Sequence, residues 1–277
     1  MTIYESISAT RSRQKRKTLK VFSRLTVTLI SFVAIVLVIV APGFSYVSPE
    51  RDKVFQVSIY NGILAGQYDG DLTYKEVKQH GDFGLGATSR LAEEVIALKG
   101  EFYKFNKDGV PERIDDSVIA PFATVKFFKP DKRASLNESL NLQQLAQRLD
   151  TLIPTKNAFH AIEIQGTFES MKVRNSLYPQ TKPYAPLVEV SKDVAISELQ
   201  NVKGTIVGFR SPEYLVTVIP LYHFHFISSD RRFGGHVLDC QLQNASVAID
   251  ASSGLELVLP KNQDFYQADL SNPPRPM

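Results

Sequence analysis

Tryptophan is absent from this chain of 277 residues, and cysteine occurs once, at Cys240. A single thiol excludes an intrachain disulfide, so the fold depends on its core, and Cys240 in "HVLDCQLQ" reads as a buried strand residue. Also missing are an H-E-x-x-H helix, a G-x-S-x-G elbow, a Walker A loop and a dinucleotide fingerprint. Those absences remove the common protease, hydrolase and nucleotide-binding readings. After residue 50 no basic stripe with interleaved aromatics occurs, which argues against a nucleic-acid partner. The positive charge is confined to the start. Seven cations and one acid lie within residues 1–45, so the formal charge falls from +3 for the whole chain to −3 beyond them.

Long apolar runs are scarce as well. "LTVTLISFVAIVLVIVA", Leu25–Ala41, is 17 residues without a charge, behind a cationic flank. That length is at the short end for a spanning helix and above a usual signal h-region, and "APGFSY" follows with small residues where a signal peptidase could cut. The expected organisation is a basic cytoplasmic tail (1–24), a signal anchor or cleaved signal peptide (25–45), an N-terminal α/β half (46–175) and a C-terminal β-rich half (176–277). Either reading of the apolar segment exports the body, membrane-anchored if uncleaved and secreted if cleaved.

Within the body, residues 46–58 read as a linker. Thr73 with Glu76 makes a capping box, "NKDG" (106–109) a hairpin turn, and "NLQQLAQRLDTLI" an amphipathic helix. The second half is mostly strands, with "LELVLP" closing the set. The fold class expected is mixed α/β: a mixed-sheet N-terminal half with helices, then an antiparallel, barrel-like half, preceded by the apolar helix.

What the chain does contain is a concentration of imidazole. Three of its five histidines fall in "YHFHFISSDRRFGGHVLD", residues 222–239. Residues two apart on a strand share a face, so His223 and His225 point together, with Tyr222, Phe224 and Phe226 opposite. The polar, glycine-ended "SSDRRFGG" can return the chain as a second strand carrying His236 alongside. Three imidazoles then converge as a catalytic zinc requires, leaving a fourth position open. Burying two unpaired imidazoles on an apolar strand would be costly, which favours a ligand role. His160, in an alternating strand, reads as structural, and His80 beside Gly81 as a helix-end cap.

"LYHFHFISSDRRFGGHVLD" resembles the zinc-binding stretch of α-acetolactate decarboxylases. So, in order over roughly residues 55–260, do "GILAGQYDGDLT", "HGDFGLGA", "GEFY", "DGV", "APFATV", "GTFESMKVR" and "VKGTIVGFRSPEY". The resemblance implies decarboxylation of 2-acetolactate to acetoin, with Zn2+ as cofactor, no organic cofactor and a homodimer. It implies His223, His225 and His236 as zinc ligands, Arg174 as the active-site arginine and Glu94 as the active-site glutamate. Of the adjacent acids Glu93 and Glu94, strand alternation turns only one inward. Two departures stand out. Ala87 occupies the place of an expected threonine, with Thr88 next, and no acid follows Asp269, where family members carry a late glutamate. That second departure keeps open an alternative: a catalytically impaired zinc protein that binds hydroxy-keto acids. An unrelated exported metal hydrolase is a third reading.

Overall fold

The computed structural model describes residues 52–275. The expected apolar helix, Leu25–Ala41, lies outside them. Among the described residues no helix is long and apolar enough to cross a membrane.

Two sheets dominate and helices are few and short. The first sheet runs, edge to edge, β15 (Gly254–Val258), β1 (Lys53–Val57), β8 (Phe122–Lys126), β3 (Phe83–Ala87), β4 (Glu94–Leu98), β5 (Glu101–Phe105) and β6 (Pro111–Arg113). It is antiparallel except where β15 lies parallel to β1. The second contains β10 (Leu140–Asn141), β14 (Gly234–Ser252), β11 (Phe159–Ser176), β12 (Val194–Arg210) and β13 (Tyr222–Ser228), with β9 (Lys132–Leu136) also on β14. Because β13 pairs back onto β14, the ring β14-β11-β12-β13 closes on itself. A small ribbon joins β2 (Leu72–Thr73) to β7 (Ile119–Ala120).

Five helices decorate this frame: α1 (Tyr60–Leu64), α2 (Tyr74–Val77), α3 (Leu142–Leu152), α4 (Leu187–Val190) and α5 (Gln263–Gln267). The Thr73–Glu76 capping box is formed and starts α2. A second box, Asn141 with Gln144, starts α3, whose Leu145 and Leu149 are buried against the inside of the closed ring. Asn106–Gly109 turns between β5 and β6, with Gly109 at φ 75°, a left-handed value that suits glycine.

Strand alternation sorts the core into three layers. Val95, Ala97 and Phe102 pack with Phe55 and α2 on the outer face of the first sheet. Ile96 and Leu98 face the other way and meet Phe159, Val207, Phe209 and Ile227 of the second sheet. Phe224, Phe226 and Val237 fill the ring interior. The middle layer, between the sheets, is where the site sits.

Two expectations are corrected. Residues 53–57 are not linker but a buried strand, because Val54, Phe55 and Val57 are each at most 2% exposed in the sheet. "LELVLP" does not close the C-terminal strand set: β15 crosses to the first sheet and pairs with β1. Residues 175 and 176 lie within β11, the centre of the second sheet, so that sheet draws strands from both sides of that point.

Candidate metal centre and active site

His223 and His225 stand on the face of β13 turned toward the first sheet, one on each side of Phe224, which points into the ring. The turn after β13 brings β14 back so that His236 lies directly opposite His225 in register. Gly235 makes that approach possible: it has φ 153°, and a Cβ there would meet the Arg174 carbonyl oxygen at 2.8 Å. Arg174, on β11, is in turn opposite His236.

Three ring nitrogens converge. His223 Nε2 is 3.2 Å from His236 Nδ1 and 3.2 Å from His225 Nε2, and the third side of the triangle is 3.3 Å. A tetrahedral ion with nitrogens at about 2.0–2.1 Å separates its ligands by about 3.3 Å, so the triangle has the size that zinc requires. His225 Nδ1 lies 2.7 Å from the Val95 carbonyl oxygen. As donor there, it leaves the Nε2 lone pair aimed into the triangle, the second contact expected of a metal-ligating imidazole. Burial lowers the pKa of all three histidines, and Arg174 opposes protonation of each. Glu94 and the Val95 carbonyl pull the other way at His225 alone. Neutral imidazoles with facing lone pairs repel unless a cation lies between them. The donor set, its spacing and its protonation state therefore fit a zinc ion.

Glu94 begins β4 and shares the inward face of Ile96 and Leu98. Its Oε2 is 3.4 Å from His225 Nε2, and its Oε1 is 3.5 Å from Arg174 Nη1. Glu93 turns the other way and pairs with Lys104 at 2.7 Å. The structure thus brings Glu94, Arg174 and the three histidines together. Ala87 lines the site, whereas the Thr88 hydroxyl donates to Glu93 at 3.2 Å, so Thr88 does not supply the expected hydroxyl. His160 is buried in β11 away from this set; the His80 ring stacks on Phe55 at 3.7 Å between ring centroids, and it is the His80 backbone N–H that donates to the Val77 carbonyl oxygen at the end of α2.

Glu94, Arg174, His223 and His236 line a cavity of about 370 Å³. Its apolar walls include Leu91, Phe122, Leu187, Ile196 and Leu238, none of which sequence reasoning singled out. Leu91 is held by an unusual turn: Arg90 and Leu91 have φ values of 63° and 48°. Such conformations cost about 1–3 kcal/mol each, offset here by hydrogen bonds from Arg90 N–H to Tyr68 and from Gln180 N–H to Arg90, both 2.8 Å. Tyr60 was also missed; a lone tyrosine ahead of Asn61-Gly62 carries no spacing signal, yet it lines the cavity.

Residues 54–272 match the family described as alpha-acetolactate decarboxylase. Among known proteins, the alpha-acetolactate decarboxylase of Methanosarcina mazei is 40% identical over 220 residues, covering 79% of this chain and 76% of that protein. That of Bacillus licheniformis is 38% identical over 226 residues, covering 81% and 89%. The crystal structure of alpha-acetolactate decarboxylase from Bacillus subtilis strain 168 superposes with a TM-score of 0.77 at 36% identity, over 80% of this chain and 94% of that one.

Proposed function

The chain belongs to the alpha-acetolactate decarboxylase family, a family of carboxy-lyases, and from that premise we propose that it is a zinc-dependent enzyme converting 2-acetolactate to acetoin and CO2. The observation that carries the reading is the triangle of imidazole nitrogens, sides 3.2–3.3 Å, beside Glu94 and Arg174 at a cavity. His223, His225 and His236 would hold the ion. Bound zinc would act as a Lewis acid toward the ketone and hydroxyl oxygens, so that the ketone becomes the electron sink.

The remaining chemistry belongs to the chain. The Arg174 guanidinium presents a fork that can grip two substrate oxygens and hold the carboxylate until its bond to carbon breaks. As CO2 leaves, the bonding electron pair stays on the substrate carbon framework and a proton must be returned. Glu94, 6% exposed and between Arg174 and His225, is placed to carry that proton. The buried side chains of Leu91 and Phe122 present apolar surface to the cavity and match the two methyl groups of the substrate. Export of the body, attachment through Leu25–Ala41 and a homodimer form the outer part of the proposal, to be read by protease accessibility on intact cells and by sedimentation.

The direct test is acetoin formation from racemic acetolactate before and after chelation. Activity lost with the metal and recovered with added zinc is the expected result. Tight binding of hydroxy-keto acids without turnover would select the non-catalytic alternative.

A further inference from the structure

We infer that Arg275, in the segment after α5, is a specificity-determining cation of this site: with Tyr60 it forms a rim that draws in and orients a substrate carboxylate. The inference rests on the acetolactate reading of the cavity and names a group which that reading does not use.

The segment returns to the first turn of α1. Asn61 Nδ2 donates to the Leu270 carbonyl oxygen at 2.8 Å, and Arg275 Nη2 donates to Asn61 Oδ1 at 3.1 Å. Asn61 is buried, so both contacts are anchored in the body and are not a loose surface association. The Arg275 guanidinium then lies 5.8 Å from the centre of the Tyr60 ring, within cation–π range. Tyr60 is itself fixed, its N–H donating to Val218 at 2.8 Å. Its ring lines the cavity together with Glu94, Arg174, His223 and His236.

One tyrosine therefore connects the exposed arginine to the half-buried Arg174. Burial raises the Tyr60 pKa, and Arg275 and Arg174, in that order, pull it back. The phenol stays protonated at neutral pH and can donate to an anion. Arg174 faces Glu94, which takes up part of its charge. Arg275 makes its one described hydrogen bond to a neutral amide, and among the described residues it has no acidic partner, so that its charge can meet an incoming anion. A 2-hydroxy-3-oxo carboxylate is such a ligand, and an uncharged analogue is not.

A simpler role, pinning the segment to α1, makes a different prediction. Gln at 275 keeps a donor for Asn61 but loses the charge, whereas Lys keeps the charge. The test is calorimetric binding of α-hydroxyisobutyrate, and of its uncharged amide, to the zinc-loaded protein and its Arg275→Gln and Arg275→Lys variants. Arg275→Gln should weaken carboxylate binding about threefold at low salt, the size expected of one solvent-exposed charge. The loss should fade toward about 1 M salt, where the screening length is about 3 Å. Arg275→Lys should bind as the parent does, and the amide should not distinguish the three proteins. In turnover the Gln variant should raise KM with kcat unchanged. Equal carboxylate binding by parent and Arg275→Gln, an equal loss in Gln and Lys, or no binding to the parent overturns the inference. The binding arm needs no turnover, so failure to make acetoin counts against the proposed reaction and leaves this reading to be judged separately.

Discussion

Two buried charged clusters tie the same pair of sheets together, and they are built differently. At one, Lys126 of β8 reaches Asp250 of β14 at 2.6 Å and donates to Ser252 at 2.6 Å, while the other Asp250 oxygen accepts Lys129 N–H at 2.6 Å. Lys126 and Asp250 are 1% and 4% exposed, and neither lines the cavity beside the histidines. At the other, Glu94 of β4 faces Arg174 and His225 of the second sheet at 3.5 and 3.4 Å. There His223 Nδ1 has no hydrogen-bond partner and a cavity lies alongside. The first cluster is saturated; the second holds contacts in reserve. Buried polar groups normally find their partners. A cluster that leaves them long and incomplete is set up for a ligand.

Removing a ligand from the incomplete cluster should have the largest effect. His225→Ala leaves two imidazoles, too few for a catalytic zinc site, and should abolish both stoichiometric zinc and acetoin formation. Metal analysis of the purified variant decides it: a full complement of zinc without His225 would sink the assignment. His160→Ala, outside the triangle, should keep its zinc.

Next in size come Glu94 and Arg174, the two groups proposed to meet the substrate. Glu94→Gln should keep zinc yet lower kcat by about a hundredfold or more, the usual worth of a positioned proton carrier. Arg174→Lys preserves charge but not the fork, and should lose about 10- to 100-fold in kcat/KM, the equivalent of one charge-assisted hydrogen bond of about 1.5–3 kcal/mol. Near-normal kcat/KM in the lysine variant would reduce Arg174 to a source of field. The saturated cluster should respond in the opposite way. Lys126→Met strands a buried carboxylate and should cost about 3–5 kcal/mol of stability. Its kcat in the fraction that stays folded should be unchanged. A large kcat defect at full stability would erase the distinction between the clusters.

The sequence made one cluster legible and left the other unread, for a physical reason. His223, His225 and His236 lie within fourteen positions on two adjacent strands, so alternation and a single turn are enough to converge them. Alternation turns only one of Glu93 and Glu94 inward, and it is the family resemblance that picks Glu94. Lys126 and Asp250 are 124 positions apart, and their pairing exists only because the sheets stack. The same holds for β15, which joins β1 across almost the whole body. Tyr60 and Arg275 meet only when the last described residues fold back on the first helix. Local period is visible in a sequence, while the stacking of layers and the return of a terminus are not.

The smallest expected effect lies in β11, beside the Lys126–Asp250 cluster. His160 lies fully buried in β11, opposite Arg210 on one side and Ala251 on the other. Neither ring nitrogen makes a hydrogen bond. Burial, then the nearby Arg210 charge, lowers its pKa from 6.5 to about 4, with the Ala158 carbonyl, outside hydrogen-bond geometry, opposing them. The native state therefore prefers the neutral ring, and the unfolded chain takes up a proton first as pH falls. The stability that neutral His160 contributes is fully present above about 6.5 and is lost progressively between about 6.5 and 4, to a limit of about 3 kcal/mol. Titrating carboxylates contribute to the same range, so the informative quantity is a difference. His160→Phe keeps a buried ring and removes the proton site. The gap in unfolding free energy between parent and variant, followed by denaturant melts from pH 7 to pH 4, should therefore move steadily in favour of the variant. A gap that stays constant over that range would mean that the buried imidazole does not titrate between the two states, and that its neighbours, not its proton, set the acid limit of this side of the molecule.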